Sequence, residues 1–139
     1  MPTLNHLDVA EIFLQDSREA LGRKALRTAL SRAYYAAYHA CVALFEYYGY
    51  RPQNFVGRRG GSAARWEHGI IVRRLLIEFT ERRQAVSPDA GWGIRRLYAD
   101  RILADYEVEA LFEEVYVRES VQLAARIVSE VRIAVTGSP

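Results

Sequence analysis

The run from Lys24 to Tyr48, KALRTALSRAYYAAYHACVALFEYY, leaves this chain few folds to choose from. At about 100° per residue, a helix here puts Leu30, Ala33, Ala37, Cys41, Leu44 and Tyr48 on one stripe. Tyr34, Tyr38 and Phe45 widen that stripe on one side, and Ala36, Ala40 and Ala43 cover the other. A helix that is apolar almost all round needs neighbours on most of its circumference. The expected fold class is therefore all-α, an up-and-down bundle of four to five helices with this segment inside it.

The remaining sequence supplies those neighbours. A first helix reads from about Leu7 to Leu21, with Val9, Ile12, Phe13 and Leu14 apolar, and Gly22 ends or interrupts it. Gly49, followed by Arg51 and Pro52, is a stop signal for the long helix. Residues 49–64, GYRPQNFVGRRGGSAA, read as a loop, and WEHGIIVRRLLIEFTERR reads as a third helix over about 66–83. QAVSPDAGWG breaks the chain again before a fourth helix from about Ile94 to Asp105. A fifth runs from about Val108 to Ala134, with Val121, Ala124, Val128, Val131 and Val135 at helical spacing. The tail after about residue 135 is expected to fray. No repeat or linker divides residues 1–139, so a single domain is expected, with the second and fifth helices as its spine.

Half of the residues are hydrophobic and 26% are charged, enough to bury a core without staples. The single cysteine, Cys41, excludes an internal disulfide framework and a cysteine-based zinc site. The first residues, MPTLNHLDVAEI, lack a basic stretch followed by an apolar block, and no apolar run approaches the roughly 18 residues that span a bilayer. A soluble, cytoplasmic protein with no membrane partner is expected. The net charge of +2 does not announce nucleic-acid binding. Eighteen arginines against one lysine, Lys24, favour the rigid fork that suits phosphate, although genomic base composition produces the same bias.

Opposite the apolar stripe of the long helix runs a narrow polar strip of Thr28, Arg32, Tyr35, His39 and Glu46. Arg32 and His39 differ by about 20° around the axis and stand roughly 10 Å apart along it, so one phosphodiester with its ribose can touch both. The alternative is that Arg32 extends to solvent and His39 is satisfied by a neighbouring hydroxyl or carbonyl. On the fourth helix Ile94, Leu97, Tyr98, Arg101 and Asp105 share a face. An Arg101–Asp105 pair on that buried side reads as a bridge locking the fourth helix to the second, with Arg101 as a second phosphate ligand if it is freed. Arg58, Arg59 and Arg65 lead into His68 at a helix start, an arrangement that holds an anion or is simply a solvated loop.

Other chemistries find no support. His6, His39 and His68 lack metal-ligand spacing, so no metal and no cofactor is expected. There is no phosphate-binding or dinucleotide-binding glycine motif and no Gly-x-Ser-x-Gly elbow. Cys41 lies on the core stripe rather than at an activating helix start.

SRAYYAAYHACVALFEYYG, the His68-Gly69 pair with its hydrophobic helix through Phe79, and R..ADY at Arg101, Ala104, Asp105 and Tyr106 together resemble the small prokaryotic HEPN domains, the higher eukaryote and prokaryote nucleotide-binding family. The resemblance spans most of the chain. It implies a helical bundle, usually a homodimer. Many members are metal-independent endoribonucleases that act as toxins or defence effectors, often beside a minimal nucleotidyltransferase antitoxin. Their site is an arginine followed after four to six residues by a histidine, with two copies meeting across the dimer. Here Arg101 matches in position, but Asp105 and Tyr106 stand where the histidine is expected, and no histidine follows His68.

The functional expectation is a HEPN-like homodimer that binds or cleaves RNA without a metal, as the effector half of a toxin–antitoxin or defence module. Arg32 and His39 are the candidate catalytic pair, helped by Tyr35, with Arg101 on the phosphate. Arg58, Arg59, Arg65 and His68 are the candidate nucleic-acid contacts, and Asp105 is structural. The alternative is a non-catalytic nucleotide- or partner-binding module that works with a nucleotidyltransferase, with Tyr106 as the residue modified.

Overall fold

The computed structural model describes residues 4–137. Among them are five α-helices, α1 (His6–Gly22), α2 (Leu26–Tyr47), α3 (His68–Leu75), α4 (Pro88–Tyr106) and α5 (Glu114–Thr136). They pack as an all-α bundle. α2 lies at its centre, touching α1, α3, α4 and α5, with α1 its most extensive neighbour. Thirteen of its 22 residues are buried, among them Leu30, Ala33, Tyr34, Ala37, Cys41, Leu44 and Phe45. The near-continuous apolar surface read from the sequence is thus the reason for the architecture. No helix among the described residues is long and apolar enough to cross a membrane.

Local chemistry sets several helix ends. Asn5 caps α1 in a reciprocal box, its side chain accepting from the Asp8 amide at 2.8 Å while Asp8 accepts from the Asn5 amide. α2 ends where Gly49 takes a left-handed φ of 85°, the Tyr50 amide reaching back to the Phe45 carbonyl at 3.0 Å. Between α2 and α3, residues 48–67 hold one short 3₁₀ turn, Pro52–Asn54, and an isolated antiparallel bridge between Val56 and Ser62.

Three boundaries differ from expectation. α4 begins at Pro88, not near Ile94, so Gly91 and Gly93 lie inside a helix instead of breaking it. Pro88 sits in the first helical turn, where its missing N–H costs nothing. The glycines permit close packing. A Cβ on Gly91 would stand 2.7 Å from Leu76 Cδ1 and 3.1 Å from Leu76 Cα, and one on Gly93 would stand 2.9 Å from Leu123 Cδ1. α5 begins at Glu114 rather than Val108, because the preceding carbonyls are already engaged. The Arg27 guanidinium donates to the carbonyls of Ala104, Val108 and Ala110 at 2.9, 2.8 and 2.6 Å. At the other end, α5 continues through Thr136 to a left-handed Gly137, and the rest of the tail expected to fray, residues 138–139, lies outside the described residues.

α3 runs on without a break into a π-helical turn, Leu76–Arg82, starting at the residue that Gly91 abuts. The turn carries the buried Glu78, whose carboxylate accepts from Tyr50 at 2.9 Å, Arg74 at 2.7 Å and Arg82 at 3.3 Å. Burial alone would raise its pKa, but the Tyr50 and Arg74 hydrogen bonds and the two arginine charges outweigh burial and hold it below the usual carboxylate range. Its contribution to stability is therefore full above the unfolded carboxyl value of about 4.5 and is lost as pH falls through the lower folded value. Glu78→Gln is expected to lower the unfolding temperature at pH 7, and the difference from wild type is expected to shrink as pH falls below the unfolded carboxyl value, measured by thermal melts across the acid range.

Candidate functional site

The three stretches that carry the family resemblance, distant in sequence, meet on one face of α2. Tyr34, Tyr35 and Tyr38 project from adjacent turns of that helix, as i, i+1 and i+4 spacing requires. His68, at the start of α3, is hydrogen-bonded through Nδ1 to the Tyr34 hydroxyl at 2.6 Å, with its ring 4.5 Å from Tyr38. Tyr98 of α4 stacks near-parallel to His68 at 6.2 Å. One turn further along α4, Arg101 donates to the Tyr35 hydroxyl at 2.8 Å and pairs through Nε with Asp105 at 3.0 Å. Its guanidinium lies over the rings of Tyr34, Tyr35 and Tyr106.

α1 borders the same strip from the other side. The Phe13 ring touches Arg32, Tyr35 and His39 at 5.9, 5.6 and 5.5 Å. The two-turn gap between Arg32 and His39 is thus bridged by one aromatic ring. The His6 and His39 rings are near-parallel with centroids 5.2 Å apart, and they meet edge to edge with the two Nδ1 atoms 3.0 Å apart. Arg32, Tyr35 and His39 are all half-buried, and the strip is a paved border between α1 and the α3–α4 pair, not an open face.

Burial lowers the His39 pKa to about 4, helped by the neighbouring imidazoles of His6 and His68. Burial and then the Arg101 charge lower that of His68. The Tyr34 hydroxyl is pushed up, by burial first and then by Tyr38 and Tyr98. At neutral pH His39 and His68 are therefore neutral imidazoles able to accept a proton, and Tyr34 keeps its own. The arrangement joins two fixed arginine charges, neutral imidazoles and a row of aromatic faces. Such a surface can hold a phosphate, accept a proton and stack a base.

Other sequence candidates fall elsewhere. Arg58, Arg59 and Arg65 are exposed on the loop before α3, away from the ring cluster that holds His68. The anion in that glycine-rich loop is the chain's own Glu67, which stands just before α3 and turns its carboxylate back to the loop, accepting from the Arg58 amide at 2.9 Å and lying against Gly57. His68 turns inward instead of guarding this helix start. Asp105 is exposed and its bridge stays within α4, so the polar links between the fourth and second helices are the Arg101–Tyr35 hydrogen bond and that from Arg27 to the Ala104 carbonyl. The buried carboxylate of α4 is Asp100, which accepts from Tyr116 at 2.7 Å and Ser120 at 3.3 Å on α5. Cys41 is buried and reduced, as its core position requires.

Sequence reasoning missed His6, Phe13 and Tyr98 as members of this face, and missed what Glu46 meets there. Glu46 lay on the polar strip, but nothing local marks His6 as its neighbour at 4.0 Å or the Trp66 indole as its donor at 3.0 Å. Although His39 and His68 both lie against Tyr38 and His6 lies against His39, no group of three or more histidine, cysteine, aspartate or glutamate side chains among the described residues is placed to hold a metal ion. No protein-family model matches the chain, and no curated protein matches it significantly.

Proposed function

We propose that this chain is a HEPN-like cytoplasmic homodimer that binds RNA on the Arg32–His39–Arg101 face and cleaves it without a metal, as the effector of a toxin–antitoxin or defence pair. One observation carries the reading. The tyrosine-rich helix, the His68-Gly69 pair and the Arg101–Tyr106 element converge through Tyr34–His68 at 2.6 Å and Tyr35–Arg101 at 2.8 Å. In this reading Arg101 and Arg32 hold the scissile phosphate and Tyr35 orients Arg101. His39 takes the proton of the ribose 2′-hydroxyl as its oxygen attacks phosphorus. The 5′-oxygen leaves, and a 2′,3′-cyclic phosphate remains. The exposed Arg58, Arg59 and Arg65 extend the contact with flanking phosphates.

Binding is tested by titrating a single-stranded RNA with wild type and Arg101→Ala over a range of salt. The variant is expected to bind more weakly, and the slope of log K against log salt is expected to shrink by about 0.7 for one lost phosphate contact. An unchanged affinity and slope would remove Arg101 from the RNA site.

The exposure of Tyr106, 67% of its surface and with Arg101 beside its ring, favours a second reading. Here the face is a non-catalytic module, and the Tyr106 hydroxyl receives a nucleotidyl group from a partner nucleotidyltransferase. An intact-mass increase of one nucleotidyl group after incubation with that partner and ATP, abolished in Tyr106→Phe, distinguishes it.

A further inference from the structure

We propose that Glu46, His6 and His39 form a proton relay in which His39 Nε2 exchanges the proton while His6 carries the charge. The relay rests on the RNA reading for the group it acts on, but its protonation logic belongs to the protein alone.

The contact between the two rings is made Nδ1 to Nδ1 at 3.0 Å, and such a contact holds one proton at a time. On the far side of His6, Nε2 faces Glu46 Oε1 at 4.0 Å. Glu46 is itself positioned by the Trp66 indole N–H, which donates to its other oxygen at 3.0 Å. A carboxylate beside Nε2 favours an N–H there. In the neutral pair His6 Nδ1 is therefore the acceptor, and His39 must donate its Nδ1–H. That leaves His39 Nε2 with a lone pair and no partner among the described residues, the form of a general base.

Accepting a proton reverses the roles. As His39 Nε2 takes the proton of a hydroxyl, the His39 Nδ1 proton crosses to His6 Nδ1. His6 becomes the imidazolium beside Glu46, and His39 is neutral again with N–H at Nε2. One proton enters, one crosses, and the charge ends where a carboxylate meets it. His39 now holds the proton that a departing 5′-oxygen needs, and returning it restores the first state.

The surroundings favour this division. Burial and the facing imidazoles hold the value of His39 at about 4, so by itself it would be a weak base and no acid at neutral pH. On α1 the Asp8 carboxylate is engaged by the Asn5 amide at the helix cap. The remaining titratable and charged groups around the pair are Arg32, Tyr35 and Tyr38 on α2, His68 at the start of α3, and Arg101 of α4 acting on His68. Of the carboxylates, only Glu46 is shown paired with an imidazole of the two. Glu46 is thus the negative group that selects His6 as the seat of the charge.

Two-bond ¹H–¹⁵N correlation of the imidazoles in RNA-free protein tests the relay. In wild type near neutral pH the expected tautomers are Nδ1–H for His39 and Nε2–H for His6. On uptake of one proton the imidazolium pattern is expected at His6, while His39 switches to Nε2–H. Glu46→Gln is expected to mix the His39 tautomers, and His6→Phe, which removes the accepting nitrogen, to abolish the switch. Thermal melts establish that both variants are folded. A His39 that is Nε2–H in neutral wild type, an imidazolium at His39, or tautomers unmoved by Glu46→Gln would overturn the proposal. Because no RNA is present, each result is independent of the Arg101 binding test. Failure of either leaves the other standing on its own measurement.

Discussion

His39→Ala is expected to lower EDTA-resistant RNA cleavage by about 100- to 10,000-fold, the range contributed by a positioned proton acceptor. The measurement is kcat/KM on a structured RNA, with melts alongside it to separate chemistry from folding. His39 is half-buried and holds together His6, Phe13 and Tyr38 by ring contacts, so some loss of stability is expected as well. The separation comes from RNA binding. A variant that still binds but no longer cleaves has lost chemistry alone, because Arg101 and Arg32 remain on the phosphate. Undiminished cleavage would remove His39 from the reaction. Failure of wild type to cleave any RNA would favour the non-catalytic module with Tyr106 as its accessible hydroxyl.

Phe45→Ala is expected to destabilise the fold by about 3–5 kcal/mol, read as a lower urea midpoint. Phe45 is fully buried near the C-terminal end of α2, and its ring meets Tyr50, Phe55, Trp66 and Phe79. These neighbours come from the loop, the entry to α3 and the π-helical turn, so the cavity is left where three segments are joined. The loss is a large part of the roughly 5–15 kcal/mol that holds a domain folded. Trp66 also donates to Glu46, so the variant links the core to the polar strip. Val108→Ala, at a residue 89% exposed, is the control and is expected to change stability by no more than about 0.5 kcal/mol.

The bundle was legible because its most informative segment speaks through period alone. A face that recurs every 3.6 residues is fixed within one helix, and α2 shows it on nearly every side. The strip of Arg32, Tyr35 and His39 was legible for the same reason. Helix ends were less so. Gly91 and Gly93 read as breakers, since propensity counts their backbone freedom and cannot see Leu76 or Leu123 against them. The start of α5 escaped because its competitor is Arg27, far away in sequence.

The sequence by itself determined that the chain is helical, that α2 is enclosed, and that one line of polar residues runs along it. Tertiary structure alone decided what those residues meet. Packing brought His6 to His39, turned His68 toward Tyr34, filled the arginine-rich loop with Glu67, and made Asp100 rather than Asp105 the buried carboxylate. The physical reason is that helical periodicity is a property of neighbouring residues. Which side chains face one another across two helices depends on their relative rotation and axial offset, and no local pattern encodes either one.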